Sequence, residues 1–140
     1  MWVIFEGLDK AGKTTLEWEF LKATNFKHVI IDRGPAGYVA FDILFDRCSA
    51  SGNFNFARNL ELMATFPYDF LVVYCKVPKD IAMQRLKEHN EECPYDYEYA
   101  QTIYDRAIKN LYEKEGIKVL TVDTTKSIEE CVNFILGGLK

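Results

Sequence analysis

The stretch Gly7-Leu8-Asp9-Lys10-Ala11-Gly12-Lys13-Thr14-Thr15 constrains this chain more than any other, because it follows directly on the apolar run Trp2-Val3-Ile4-Phe5. It has the spacing G-x-x-x-x-G-K-[ST], a loop that joins a buried strand to a helix. Glycines let successive backbone N–H groups turn inward toward phosphate oxygens, and the helix that follows adds the positive end of its dipole. In that pattern Lys13 reaches the β- and γ-phosphates of a nucleotide and the Thr14 hydroxyl sits on Mg2+.

The rest of the chain repeats the same alternation. Trp2–Glu6, His28–Asp32, Phe70–Val77 and Ile117–Val122 are short runs rich in β-branched residues and read as strands. Their near-continuous apolarity suits strands covered on both faces, hence a parallel sheet. Ala100, Ile103, Tyr104, Ala107, Ile108 and Leu111 keep a 3.6-residue period, with Gly116 as a stop. Ile128, Cys131, Val132, Ile135, Leu136 and Leu139 repeat that period, and Ser127 with Glu130 makes a capping box before them. Pro78 opens a helix running to about Asn90. Between Pro35 and Pro67 the pattern is less regular. Tyr38, Phe41 and Phe45 suit one helix, Phe56, Leu60 and Met63 a second, with Ser51-Gly52-Asn53 breaking them apart. The expected fold is α/β, a doubly wound parallel sheet of about four strands with helices on both faces and the phosphate loop at the strands' carboxyl ends.

A chain of 140 residues is expected to form a single domain, 1–140, and 49% hydrophobic with 27% charged residues suits an ordinary globule. The formal net charge of −4 gives no general attraction to nucleic acid or an anionic membrane. No apolar run approaches the ~20 residues of a membrane helix, and the immediate strand leaves no room for a signal peptide. Cys48, Cys75, Cys93 and Cys131 are scattered without a C-x-x-C pair, as expected of reduced thiols in a cytoplasmic protein.

Asp32-Arg33-Gly34 ends the second strand, so its side chains should emerge beside the loop. A carboxylate next to a guanidinium suits phosphoryl transfer: the acid holds Mg2+ or its water, and the arginine neutralises moving phosphate charge. With these residues in place, Phe5-Glu6-Gly7-Leu8-Asp9-Lys10-Ala11-Gly12-Lys13-Thr14-Thr15 resembles the opening of thymidylate kinases and, more distantly, of deoxynucleoside kinases. Asp32-Arg33 looks like that family's D-R motif. Residues 67–74 with Val77–Leu86 are similar to its strand and lid helix, and Val122–Glu130 to its last strand, adenine-side loop and final helix. The resemblance implies an ATP-dependent kinase of a nucleotide or nucleoside, with a lid at about 85–99. It implies donor binding by Gly7, Asp9, Lys10, Ala11, Gly12, Lys13, Thr14, Thr15 and Arg85. Lys13, Asp32, Arg33 and Lys10 would carry the transfer, and Thr14 and Asp32 would hold Mg2+. Asp9 would also bind the acceptor sugar's 3′-hydroxyl, and Arg85 would approach the adenine or phosphates.

Two departures stand out. Lys10 occupies a place where some members carry arginine, and an ammonium cannot make the guanidinium's two-pronged contact. Only Thr14 to Ile31 separates the loop from the D-R strand, so the family's acceptor-gripping segment is absent. The lid stretch is acidic, with Glu88, Glu91, Glu92, Asp96 and Glu98, and reads as a solvated face. Tyr95, Tyr97 and Tyr99 either stack on a base or cover the core edge. The expected acceptor is a deoxynucleoside monophosphate. The alternatives are a hydroxyl acceptor (a nucleoside or polynucleotide, nucleic acid being the less favoured) and a nucleotide-binding regulatory module. Tyr38, Arg47 and Arg58 are candidate acceptor contacts, and a homodimer completing the acceptor site stays open.

Overall fold

The computed structural model describes residues 1–46 and 69–139. Four strands, β1 (Trp2–Glu6), β2 (Val29–Asp32), β3 (Phe70–Lys76) and β4 (Lys118–Asp123), form an all-parallel sheet in the order β2-β1-β3-β4. The helices are α1 (Lys13–Ala23), α2 (Pro35–Leu44), α3 (Lys79–Glu88), α4 (Tyr97–Leu111) and α5 (Ile128–Gly138). This is the expected doubly wound arrangement. The strand order reverses beside β1, and such sheets bind ligands at that point, outside their carboxyl ends.

Alternation along β1 and β3 divides the core into two layers. Val3, Phe5, Leu71 and Val73 pack with Leu16 and Phe20 of α1 and Ile135 of α5. Ile4, Val72 and Tyr74 face the other way, onto Ala36, Ala40 and Phe41 of α2 and Tyr104 and Ile108 of α4. The central strands are covered on both faces, as their apolar runs imply, but β2 and β4 are edges and largely part-exposed. Continuous apolarity in Val29–Ile31 therefore overstates its burial.

Local signals end the elements where expected. Ser127 Oγ accepts from the Glu130 N–H at 3.2 Å and the Glu130 carboxylate takes the serine hydroxyl at the same distance. Asp96 caps α4 by accepting from Tyr99 N–H at 2.8 Å. Gly116, at φ 75, follows a short 3-10 turn over Glu113–Glu115 after α4. Cys75, Cys93 and Cys131 are free thiols, and Cys93 is only part-buried. No helix among the described residues is long and apolar enough to cross a membrane. Cys48, the second aromatic run Phe56, Leu60 and Met63, the Ser51-Gly52-Asn53 break, and Arg47 and Arg58 lie outside the described residues.

Candidate active site

The loop between β1 and α1 owes its shape to two glycines. Gly7 has φ 152, and a Cβ there would lie 2.7 Å from the Cys75 carbonyl. Gly12 has φ 82, and a Cβ would press on Thr124 at 3.3 Å. Thr124 also donates its hydroxyl to the Ala11 carbonyl at 2.5 Å, so the turn after β4 clasps the loop from behind. Arg85 of α3 adds a second clasp, with Nη1 donating to the Lys10 carbonyl at 2.8 Å and Nη2 to the Thr124 carbonyl at 2.9 Å. A cavity of about 580 Å3 opens over this frame, lined by Leu8 through Leu16 with Arg85, His89, Glu91, Thr124, Lys126, Ile128 and Cys131. The loop residues and Arg85 thus share one wall, as the sequence implies.

The start of α1 suits a phosphate group. It has no side-chain cap and no acidic residue in its first turn, so neither a side chain nor a negative charge competes for its dipole end. Lys13 points across the loop to the D-R turn, its Nζ 2.5 Å from Asp32 Oδ1. Burial of Asp32 works to raise its pKa, but the Lys13 hydrogen bond and charge outweigh it and hold the carboxyl below its ordinary range. An ionised, 58% exposed carboxylate paired with Lys13, with the exposed hydroxyl-bearing Thr14 next in the chain, offers oxygens of the kind that suit Mg2+, which takes few protein oxygens and keeps the rest for water and phosphates.

Beyond the D-R turn the charges come in pairs. Arg33 Nη2 lies 3.5 Å from Asp9 Oδ1, and its guanidinium carbon sits 4.2 Å from the Phe41 ring centre. Lys10 Nζ is 3.0 Å from Glu91, which ties the acidic stretch after α3 to the loop instead of leaving it wholly solvated. Tyr95 donates to Asp9 at 3.4 Å and meets Phe41 and Phe45 edge-on, forming an aromatic rim with α2. Its neighbours differ: Tyr97 is buried with its hydroxyl on the Val77 carbonyl, and Tyr99 is exposed. Tyr38 is exposed on α2. Arg33 and Lys10 both hold left-handed backbone, φ 63 and 64. That conformation costs a non-glycine residue on the order of 1 kcal/mol.

Three parts of this site escape the sequence reading. Lys126 joins the cavity wall from the turn before α5, and only the general position of that turn was legible. Glu6, one charge in an apolar strand, is fully buried. Glu17 is buried one helical turn after Lys13, with Oε1 lacking a hydrogen-bond partner. Burial, then the charge of Asp32, pushes the Glu17 carboxyl up to about 7, with Lys13 opposing. A raised carboxyl means that the folded chain holds the extra proton between the ordinary 4.5 and about 7. The stability from this group is therefore full below 4.5 and lost as pH rises through 7. Glu17→Gln removes that loss, so it should raise Tm at about pH 8, by on the order of 2 kcal/mol of stability, and change little at acid pH. Thermal melts of both proteins at the two pH values check this; an equal difference at both would contradict it.

Arg85 supports a second expected result. Lysine keeps its charge but cannot span two carbonyls in the guanidinium's planar geometry. Arg85→Lys should therefore loosen the loop and raise the KM for a nucleoside triphosphate roughly 10-fold with kcat little changed. An unchanged KM would mean that Thr124 alone holds the loop.

No protein-family model and no curated protein sequence matches the chain. Solved structures do. The deoxyadenosine kinase of M. mycoides with bound dCTP aligns with a TM-score of 0.70 at 15% identity, covering 99% of this chain and 98% of that one. The YorR protein of Bacillus subtilis, in complex with phosphorylated GDP, aligns at 0.70 and 16% identity over 99% and 95%. The M. mycoides kinase with bound dATP aligns at 0.61 and 14% identity over 99% of each chain. The chain therefore shares its doubly wound, all-parallel α/β fold with these kinase structures.

Proposed function

We propose that this chain is an ATP-dependent phosphotransferase whose acceptor is a nucleoside or nucleotide, built as one domain over residues 1–140. The observation that carries this reading is the 2.5 Å contact between Lys13 of the donor loop and Asp32 of the D-R turn, which joins two separate motifs into one centre. The cavity over the loop takes the donor. Phosphates at the start of α1 draw Lys13 away from Asp32, so the ammonium neutralises charge as the γ-phosphoryl leaves. Thr14 and Asp32 would hold Mg2+, which would supply further charge neutralisation. Arg33, next to Asp32 in the chain and paired with Asp9, would stabilise the moving phosphoryl group from the acceptor side.

The acceptor is best read as a hydroxyl, such as that of a deoxynucleoside. A monophosphate acceptor brings about two negative charges and needs free cations. Among the described residues, Arg33 and Lys10 already face Asp9 and Glu91. A hydroxyl acceptor instead gains from a nearby carboxylate, and Asp9 is one, half-exposed at the aromatic rim of Phe45 and Tyr95. The likeness to a deoxyadenosine kinase supports the same reading. The thymidylate-type acceptor implied by the loop sequence becomes the second reading.

Transfer from γ-labelled ATP to a panel of deoxynucleosides, monophosphates and oligonucleotides tests both. Label in deoxynucleosides is expected. Label in thymidylate alone would restore the monophosphate reading. ATP turnover that no acceptor accelerates would leave a nucleotide-binding module.

A further inference from the structure

We propose that Glu6 is a positioning residue for Arg33: its buried carboxylate, held by the hydroxyls of Tyr104 and Tyr112, fixes the backbone of the D-R turn. The inference rests on the kinase reading above for its catalytic consequence, and on geometry alone for the node itself.

Glu6 is the last residue of β1 and points, by strand alternation, into the layer of α2 and α4. Its Oε1 accepts from Gly34 N–H at 2.9 Å and from the Tyr104 hydroxyl at 3.0 Å. Its Oε2 accepts from Gly37 N–H at 3.0 Å and from the Tyr112 hydroxyl at 2.8 Å. The two hydroxyls pass the connection on. Tyr104 accepts from Gly7 N–H at 3.0 Å, and Tyr112 from Ala36 N–H at 3.3 Å. Gly34 is the N-cap of α2 and Pro35 has no N–H, so one carboxylate serves the free N–H groups at the start of that helix as well as the first amide of the phosphate loop. The negative charge also sits at the favourable end of the α2 dipole.

This node explains a backbone that would otherwise relax. Arg33 is left-handed, pinned on one side by its own N–H to the Phe5 carbonyl at 2.8 Å and on the other by Gly34 on Glu6. Gly34 and Gly37 leave room for the node: a Cβ at either would lie 2.7 Å or 2.6 Å from a tyrosine hydroxyl. A carboxylate has about four acceptor positions, and all are engaged. Glu6 therefore orients Arg33 and takes no proton from substrate. Gln at this position offers one carbonyl oxygen and places an NH2 against a backbone N–H, so one α2 amide loses its acceptor.

The test pairs a backbone readout with kinetics. Glu6→Gln and Tyr104→Phe, the latter keeping the ring that stacks on Tyr74, are compared with the unsubstituted protein by amide hydrogen exchange. Faster exchange of at least one of the Gly34 and Gly37 amides in Glu6→Gln, and of the Gly7 amide in Tyr104→Phe, is expected. Unchanged exchange would overturn the node whatever the activity. In transfer assays Glu6→Gln should lower kcat roughly 10- to 100-fold, the cost of a misplaced catalytic group, with a smaller change in the KM for ATP. Combined with Arg33→Ala it should add nothing further, because it acts through Arg33. Multiplying losses, or an acid limb of the pH profile that vanishes in Glu6→Gln, would make Glu6 a group acting directly on substrate and overturn the proposal. Faster exchange in a protein that transfers no phosphoryl group would keep the node and discard the kinase reading.

Discussion

Lys13→Ala is expected to abolish phosphoryl transfer while the protein still folds. Lys13 is the loop cation, and its ammonium meets Asp32 across the strand ends. Loss of one preorganised contact to a developing charge costs on the order of 10²–10³-fold in rate. The fold should tolerate the change, because the Asp32 carboxylate left behind is 58% exposed and water can solvate it. Removing Lys13 also withdraws the charge that opposes protonation of Glu17, so that carboxyl should titrate higher still. Single-turnover transfer with circular dichroism as a folding control measures the effect. Near-normal turnover in the folded variant would remove this loop from the donor site.

The fold was legible because strands covered on both faces and helices with a stripe each leave different periods in the sequence. β1 is matched residue for residue, and β2, β3 and β4 lie within one residue of the expected ends. Val29 misleads, since edge strands in a short sheet carry apolar residues without full burial; Val29 is 48% exposed. The loop after β1 was legible for a local reason: its glycines, Lys13 and Thr14 lie within nine consecutive residues. The D-R turn also emerges where the strand register puts it, with Phe5 paired to Asp32. What stayed hidden depends on contacts far apart in the chain. Tyr104 reads as an ordinary stripe residue and Tyr112 carries no local signal, yet they meet Glu6 across 98 and 106 positions. Arg85 was expected at the donor, and it lines the cavity, but its guanidinium is spent on the Lys10 and Thr124 carbonyls. Nothing in a helix pattern tells a clasp from a ligand contact.

Asp32→Asn should separate rate from binding in opposite directions. The carboxylate competes with the donor phosphates for Lys13, which it holds at 2.5 Å. An amide is neutral and releases the ammonium, so ATP should bind as tightly as before or a few-fold more tightly. The same substitution removes the ionised oxygen that suits Mg2+ and leaves Arg33 without its neighbouring charge. Transfer should then fall on the order of 10²-fold or more. A structural acid would behave differently, losing binding and rate together as the turn loosens. A Mg2+ titration distinguishes the functional roles: partial rescue at high Mg2+ marks a carboxylate that holds the metal, and no rescue marks one that handles a proton. Glu17 gives an internal check on the charge argument. Part of its upward shift comes from Asp32, so in Asp32→Asn the Glu17 carboxyl should titrate closer to its ordinary range. If nucleotide affinity falls with rate and Glu17 titrates as before, Asp32 does not face Lys13 in solution and the two motifs do not form one centre.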